Sequence, residues 1–312
     1  MGKRLRGGML LGIIGRILFV NLKFFIYLDE RNKCYTYNMK KIIKALILLF
    51  IFSIFIIYSI GTFLTKSHPT NIGSISNDLK HTRAVSFPSK SGSKLSGWLL
   101  EAKQGKGGIL LLHGVRSNRL QMLSRARFLQ KAGYDVLLFD FQAHGESTGK
   151  QITFGHLESL DAEAAYDYLE DRLCNPTIGV IGVSLGGASA LLGEVKLKAK
   201  VMILESVYPS IEEAIDNRLG IYLGVIGSYF SPLLTMQIEP RLGVGLNGLK
   251  PIEHLKSVIG ATFIISGEDD KHTTVEESKK MFSMANEPKA LWIVEGKGHV
   301  DFSEALGKVY EE

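Results

Sequence analysis

From residue 96 onward, short unbroken apolar runs alternate with longer stretches in which apolar positions recur every three or four residues. "GGILLLHG", "YDVLLFD", "TIGVIGVS", "KVMILES", "ATFIISG" and "ALWIVEG" are runs of the first kind. Apolar at nearly every position and bounded by Gly, Asp or Ser, they predict strands buried on both faces. "SGWLLEA" reads as an edge strand. "RLQMLSRARFLQKAG", closed by Gly133, and "LESLDAEAAYDYLEDRL" carry the helical spacing between them. This alternation predicts an α/β fold: a mostly parallel sheet of about eight strands, helices on both faces, and a ligand site at the carboxyl ends of the strands. About 55 residues separate "VMILES" from "ATFIIS". They predict a small cap over roughly 207–255.

A different pattern precedes this domain. Ala45 to Thr65 is an uncharged apolar stretch of 21 residues. As a helix it is about 31 Å long at ~1.5 Å per residue, enough for a bilayer core. A buried soluble helix is rarely so apolar on every face. An earlier apolar run, Gly8 to Leu28, is broken by Arg16 and Lys23 and is not expected to span. The chain therefore divides into a basic cytoplasmic leader (1–44), a transmembrane signal anchor (45–65), a polar linker (66–81) and a domain over 82–312. Lys40, Lys41 and Lys44 before the anchor place the leader in the cytoplasm and the domain on the far side. No A-x-A cleavage site follows, so an uncleaved signal anchor is expected, with cleavage as the alternative. "MKKIIKALILLF" from Met39 resembles a natural start, with residues 1–38 as an upstream extension.

Charge changes the picture only once it is located. The formal net charge is +6 over 312 residues, but residues 1–44 hold ten Lys/Arg against two acids. The remainder is slightly acidic, which excludes a nucleic-acid binder, whose basic excess belongs on the folded domain. The two cysteines, Cys34 and Cys174, build no disulfide framework, and neither CxxC nor HExxH marks a metal site. Cys174 reads as a small buried or loop residue.

The chemistry concentrates in "TIGVIGVSLGGASA" (177–190). Gly179, Gly182 and Gly186 can be read as a loosened phosphate-cradling loop, with Glu205 closing the next strand where a ribose would want an acid. That fingerprint belongs to a first βα turn, however, and this strand is roughly the fifth. Gly182-Val183-Ser184-Leu185-Gly186 also fits G-x-S-x-G, the turn that presents a nucleophilic serine. A serine nucleophile needs a base, the base needs a carboxylate, and in this architecture they follow in the order Ser, acid, His. Of His254, His272 and His299, only His299 sits just past the last strand. "SGEDDKHT" offers Glu268, Asp269 and Asp270 as the acid.

From about residue 83, "LLLHGVRSNR", "LLFDFQAHGESTG", "IGVSLGG", "SGEDDKHT" and "GKGHVD" together resemble the α/β-hydrolase fold family. The branch is the serine-aminopeptidase-like or prolyl-oligopeptidase-like one, and the anchored layout is similar to members of the Bem46 type. The resemblance implies Ser184 as nucleophile, Asp270 as acid and His299 as base, with the backbone N–H groups of Val115 and Leu185 as the oxyanion hole. It implies no metal or organic cofactor. It gives His113 a buttressing role in its loop, and gives His144, Glu146 and Ser147 a turn-fixing one. His272 lies too close to Asp270 in sequence to swing round as its partner.

The expected partners are the membrane, through 45–65, and a small-molecule or lipid-like acyl substrate: an ester, thioester or amide. "LGIYLGVIGSYFSPLLTM" (219–236) reads as an apolar acyl pocket, as a segment that leans on the membrane, or as cap helix packed on its neighbours. It contains no acid to hold a substrate's amino terminus, which disfavours an aminopeptidase. The rivals to a serine hydrolase are an acyltransferase on the same residues, a non-catalytic membrane-anchored binding protein and a dinucleotide-binding oxidoreductase. Only thirteen residues follow His299. The closing helix is therefore expected to be short and its hold on the sheet weak.

Overall fold

In a computed structural model, which describes residues 33–75, 79–103, 105–173 and 177–312, the buried apolar runs form the middle of an eight-stranded sheet. The strands are β1 (Thr82–Pro88), β2 (Lys94–Leu100), β3 (Gly108–Leu112), β4 (Asp135–Asp140), β5 (Ile178–Val183), β6 (Val201–Glu205), β7 (Ala261–Gly267) and β8 (Lys289–Val294). Their order across the sheet is β8-β7-β6-β5-β3-β4-β2-β1. Only β2 pairs antiparallel, with β1 on one side and β4 on the other; every other neighbour is parallel.

"SGWLLEA" is therefore not an edge strand. The edge belongs to β1, which the apolar pattern misses because its burial alternates and only Val85 and Phe87 are buried. A half-buried strand shows too few apolar positions to announce itself.

The helices that cover the sheet are α2 (Leu123–Ala132), α3 (His156–Glu170), α4 (Leu185–Leu192) and α6 (Val275–Met284), with α5 (Ile211–Leu223) in the cap. Strand side chains alternate between the two faces. Leu110, Leu112, Phe139 and Val180 pack with Ala165 and Leu169 of α3 and Leu191 of α4. On the other face, Leu111, Leu138 and Ile181 meet Ala126 of α2 and Met122 just before it. Gly133 ends α2 in the left-handed region at φ 104°, a conformation glycine adopts without steric penalty. The cap continues past α5 through two short helices, Ser231–Thr235 and Ile238–Leu242.

The chain divides into two compact units, one ending at Ile56 and one running Ile57–Glu312. The apolar stretch lies in a single helix, α1 (Lys33–Thr65). Its segment Met39–Thr65 has a mean hydropathy of 2.6 and is long and apolar enough to cross a membrane. The leader before Lys33, including the Gly8–Leu28 run, and Cys174 lie outside the described residues.

Part of the expected linker is not a free tether. His68–Pro69 runs parallel to His144–Gly145. His68 N–H donates to Ala143 O at 2.6 Å and Thr70 N–H to Gly145 O at 2.8 Å.

The short carboxyl-terminal segment is held more firmly than its length suggests. Phe302 is fully buried against Ile265 and Val294. Arg125, with no exposed side-chain surface, pairs with Glu205 at 2.6 Å and with Asp301 at 2.9 Å. Tyr310 donates its hydroxyl to Glu205. A buried carboxylate of this kind is stable only while its partner stays. Arg125→Met keeps the stem and removes the charge, so it is expected to destabilise the fold by about 3–5 kcal/mol, read as a lower urea midpoint. An unchanged midpoint would show that this network contributes nothing.

Candidate active site

Ser184 stands where β5 turns into α4. Its backbone sits at φ 49°, ψ −110°, a region a non-glycine residue occupies only when its surroundings force it there. Here the forcing groups are visible. Ser184 N–H donates to Glu205 O at 2.8 Å, and Ser184 O accepts from Ala188 N–H at 3.0 Å. The flanking glycines permit the turn by close approach. A Cβ on Gly182 would lie 2.5 Å from Gly187 N, and one on Gly186 would lie 2.2 Å from Leu112 O.

The glycines therefore serve backbone packing, and Glu205 is occupied by Arg125 and Tyr310. This removes the nucleotide reading. The Ser184 side chain is 3% exposed, and its Oγ hydrogen-bonds to no group among the described residues.

Asp270 and His299 come from the loops after β7 and β8. His299 Nδ1 lies 2.8 Å from Asp270 Oδ2. That carboxylate oxygen also accepts from Ser206 Oγ at 2.9 Å and Thr273 Oγ1 at 2.8 Å. The other oxygen accepts the N–H groups of His272 at 2.8 Å and Thr273 at 3.1 Å. Burial works to raise the Asp270 pKa, but the bond and charge of His299 and the Thr273 donors outweigh it and bring it down to about 2. Glu268 and Asp269, the other candidates, are exposed.

With Nδ1 engaged by Asp270, Nε2 is the ring nitrogen left to take a proton. No hydrogen bond joins Ser184 Oγ to His299. Such contacts are often long before substrate binds.

Sequence reasoning missed Ser206 and Thr273. Thr273 follows Asp270 by three residues, the spacing of a local carboxylate-capped turn, so a signal existed. Ser206 carried none, because it reaches Asp270 across 64 residues. His272 places its ring 4.9 Å from that of His299.

The loop after β3 supplies the other wall. His113 is fully buried. Its Nδ1 donates to Gly114 O at 2.7 Å, and its Nε2 accepts from Phe141 N–H at 3.0 Å. Both bonds require the neutral ring, and burial and the neighbouring His144 hold its pKa down to about 3. It ties the ends of β3 and β4 together.

The following turn is fixed by Asp140. It pairs with Arg119 at 2.9 Å, accepts Glu146 N–H at 2.9 Å, and takes the Ser147 hydroxyl on its backbone carbonyl at 2.5 Å. Val115 and Leu185 line a cavity of about 150 Å³ beside this loop. Leu185 N–H is the first of α4 and has no acceptor within the helix. Among the described residues, no three His, Cys, Asp or Glu side chains group as metal ligands.

A model of the alpha/beta hydrolase family matches residues 109–312. The chain belongs to this family. Among the hydrolase's relatives, the uncharacterized protein YqkD of Bacillus subtilis is 24% identical over 220 residues, covering 69% of this chain and 72% of YqkD. Human ABHD12B is 26% identical over 192 residues, covering 59% of this chain and 51% of its own length. Among solved structures, the Pyrococcus furiosus esterase Pf2001 superposes with a TM-score of 0.65 at 26% identity, covering 79% of this chain and 94% of the esterase. An esterase of Exiguobacterium antarcticum, 17% identical with a TM-score of 0.54 and covering 73% of this chain and 97% of its own, shares the fold. Family and esterase likeness together support ester hydrolysis as the general activity.

Proposed function

We propose that this protein is a membrane-anchored serine hydrolase that cleaves an acyl ester, thioester or amide through an acyl-enzyme. The observation that carries the reading is the 2.8 Å bond from His299 to an ionised Asp270, with Ser184 strained and unbonded at the end of β5.

In this reading Ser184 Oγ attacks the acyl carbonyl and His299 Nε2 takes its proton. Asp270 holds the imidazole in the Nδ1–H tautomer and balances the charge it acquires. The N–H groups of Val115 and Leu185 meet the developing oxyanion. His299 returns the proton to the leaving group, and water then resolves the acyl-enzyme by the same steps. Residues 45–65 anchor the chain, residues 1–44 lie in the cytoplasm and the hydrolase domain on the other side.

The test is covalent labelling of the detergent-solubilised full chain by a fluorophosphonate, beside Ser184→Ala. Labelling confined to the native chain is expected. A folded native chain that stays unlabelled would sink the proposal.

A further inference from the structure

Among the described residues, the cavity lined by Val115 and Leu185 carries three guanidinium groups and no carboxylate. Arg116, Arg218 and Arg241 line it, and neither Asp nor Glu does. Each arginine is held in place by neutral groups. Arg116 donates to Phe63 O. Arg218 donates to Ala214 O at 3.1 Å. Arg241 donates to Gln237 Oε1 at 3.0 Å, Thr62 Oγ1 at 2.9 Å and Tyr58 O at 2.6 Å.

The buried structural arginines of the same domain are built differently. Arg119 pairs with Asp140 and Glu146, and Arg125 with Glu205 and Asp301. A guanidinium withdrawn from water without a counter-charge is unfavourable. Burial lowers the Arg218 pKa, and the neighbouring Tyr208, Asp270, Tyr222 and Glu277 offset this only in part. The remaining wall is apolar, with Phe154, Ile215, Leu234 and Leu242 from the domain and Leu64 from the last turn of α1.

We propose that this cavity takes an anionic amphiphile: an acyl ester whose chain lies against the apolar wall and whose phosphate or carboxylate group is held by Arg116, Arg218 and Arg241. This rests on the serine-hydrolase reading and names its substrate class. Hydrolysis breaks the acyl C–O bond. Water gives its hydroxyl to the acyl carbon and its proton to the leaving oxygen, so one of the two products carries the anion away. The substrate's anion gives the three half-buried arginines the direct ion-pair partner that no lining residue offers.

The test compares kcat/KM of the full chain in detergent on a medium-chain monoacylglycerol and on its 3-phosphate. The phosphate ester is expected to be preferred by about tenfold or more, the worth of one charge-assisted hydrogen bond. Arg116→Gln and Arg218→Gln should each cut that ratio by about tenfold, and Arg218→Lys should restore part of it. Inorganic phosphate added to the neutral-ester assay separates the sources. Millimolar inhibition that disappears in Arg218→Gln means the free anion suffices. Absence of inhibition beside an intact preference means the anion is read only when attached to the chain. Either result keeps the anion site.

A ratio near one in the native chain overturns the proposal, as does a ratio indifferent to both glutamine variants while their unfolding midpoints stay native. If neither ester is cleaved and no fluorophosphonate label is taken up, the hydrolase reading has failed instead. Calorimetric binding of the two esters to Ser184→Ala then still decides the anion site, with tighter binding of the phosphate ester expected and equal binding overturning it.

Discussion

Ser184→Ala is expected to lower kcat on a good ester substrate by about 10⁶-fold and to abolish labelling by a fluorophosphonate. Deleting Oγ removes the atom proposed to form the acyl-enzyme, and no neighbouring hydroxyl stands on the same strained turn. The fall should stop short of the uncatalysed rate. The Val115 and Leu185 amides belong to the backbone and survive the substitution, and binding plus an oxyanion hole leaves a residual enhancement of roughly 10³–10⁴ over water. The variant should fold at least as well as the native chain. Ser184 Oγ is buried and unbonded, and an unsatisfied buried hydroxyl costs about 1–3 kcal/mol. Native-like kcat in Ser184→Ala, measured by initial rates on an aryl ester, would remove the serine from the mechanism.

Asp270→Asn is expected to lower kcat by about 10⁴-fold, through the wrong tautomer of His299. Five donors converge on the carboxylate: His299 Nδ1, the hydroxyls of Ser206 and Thr273, and the N–H groups of His272 and Thr273. An amide offers one acceptor oxygen. The two backbone N–H groups cannot turn away, so the amide oxygen takes their side and the NH₂ faces His299. The Ser206 and Thr273 hydroxyls can rotate to accept from it, but the imidazole must give up its Nδ1 proton and carry it on Nε2. That ring can no longer take the proton of Ser184.

In the native chain Asp270 stays ionised down to about pH 2. Because its folded pKa lies below the usual carboxylate range, its contribution to stability is fully present above that range and is lost as pH falls toward 2. A fall in kcat of less than tenfold in Asp270→Asn would assign the orienting carboxylate elsewhere.

The reach of local pattern is clear in particular elements. The inner strands β3 to β7 follow from apolar runs, because a strand buried on both faces must be apolar at nearly every position; β2 and the edge strand β8 carry apolar runs as well. β1 does not, because only one of its faces is covered. The G-x-S-x-G turn is legible since its geometry demands glycine at fixed offsets from Ser184, and chain order carries the reading on to His299. The length and apolarity of Met39–Thr65 likewise need no partner to be recognised.

Other features are set by pairings distant in sequence, which leave no periodic trace. Of the three acids in "EDD", only Asp270 turns inward, met by Ser206 from 64 residues away. Glu205, a reasonable ribose ligand on local spacing, is occupied by Arg125 80 residues before it and Tyr310 105 residues after it. Those same bonds hold down a carboxyl-terminal segment that looked too short to matter. The polar stretch after Thr65 reads as a tether because nothing local shows that His68 and Thr70 pair with backbone near His144. The arginine-lined cavity exists only where α1, the cap and the loop after β3 converge. Periodicity and motif spacing report what a residue needs within a few positions of itself, so the strands, the turn and the long apolar helix are written in the chain. Burial and charge pairing between distant segments depend on the packed sheet, and they alone turn Asp270 inward and shape the pocket beside Leu185.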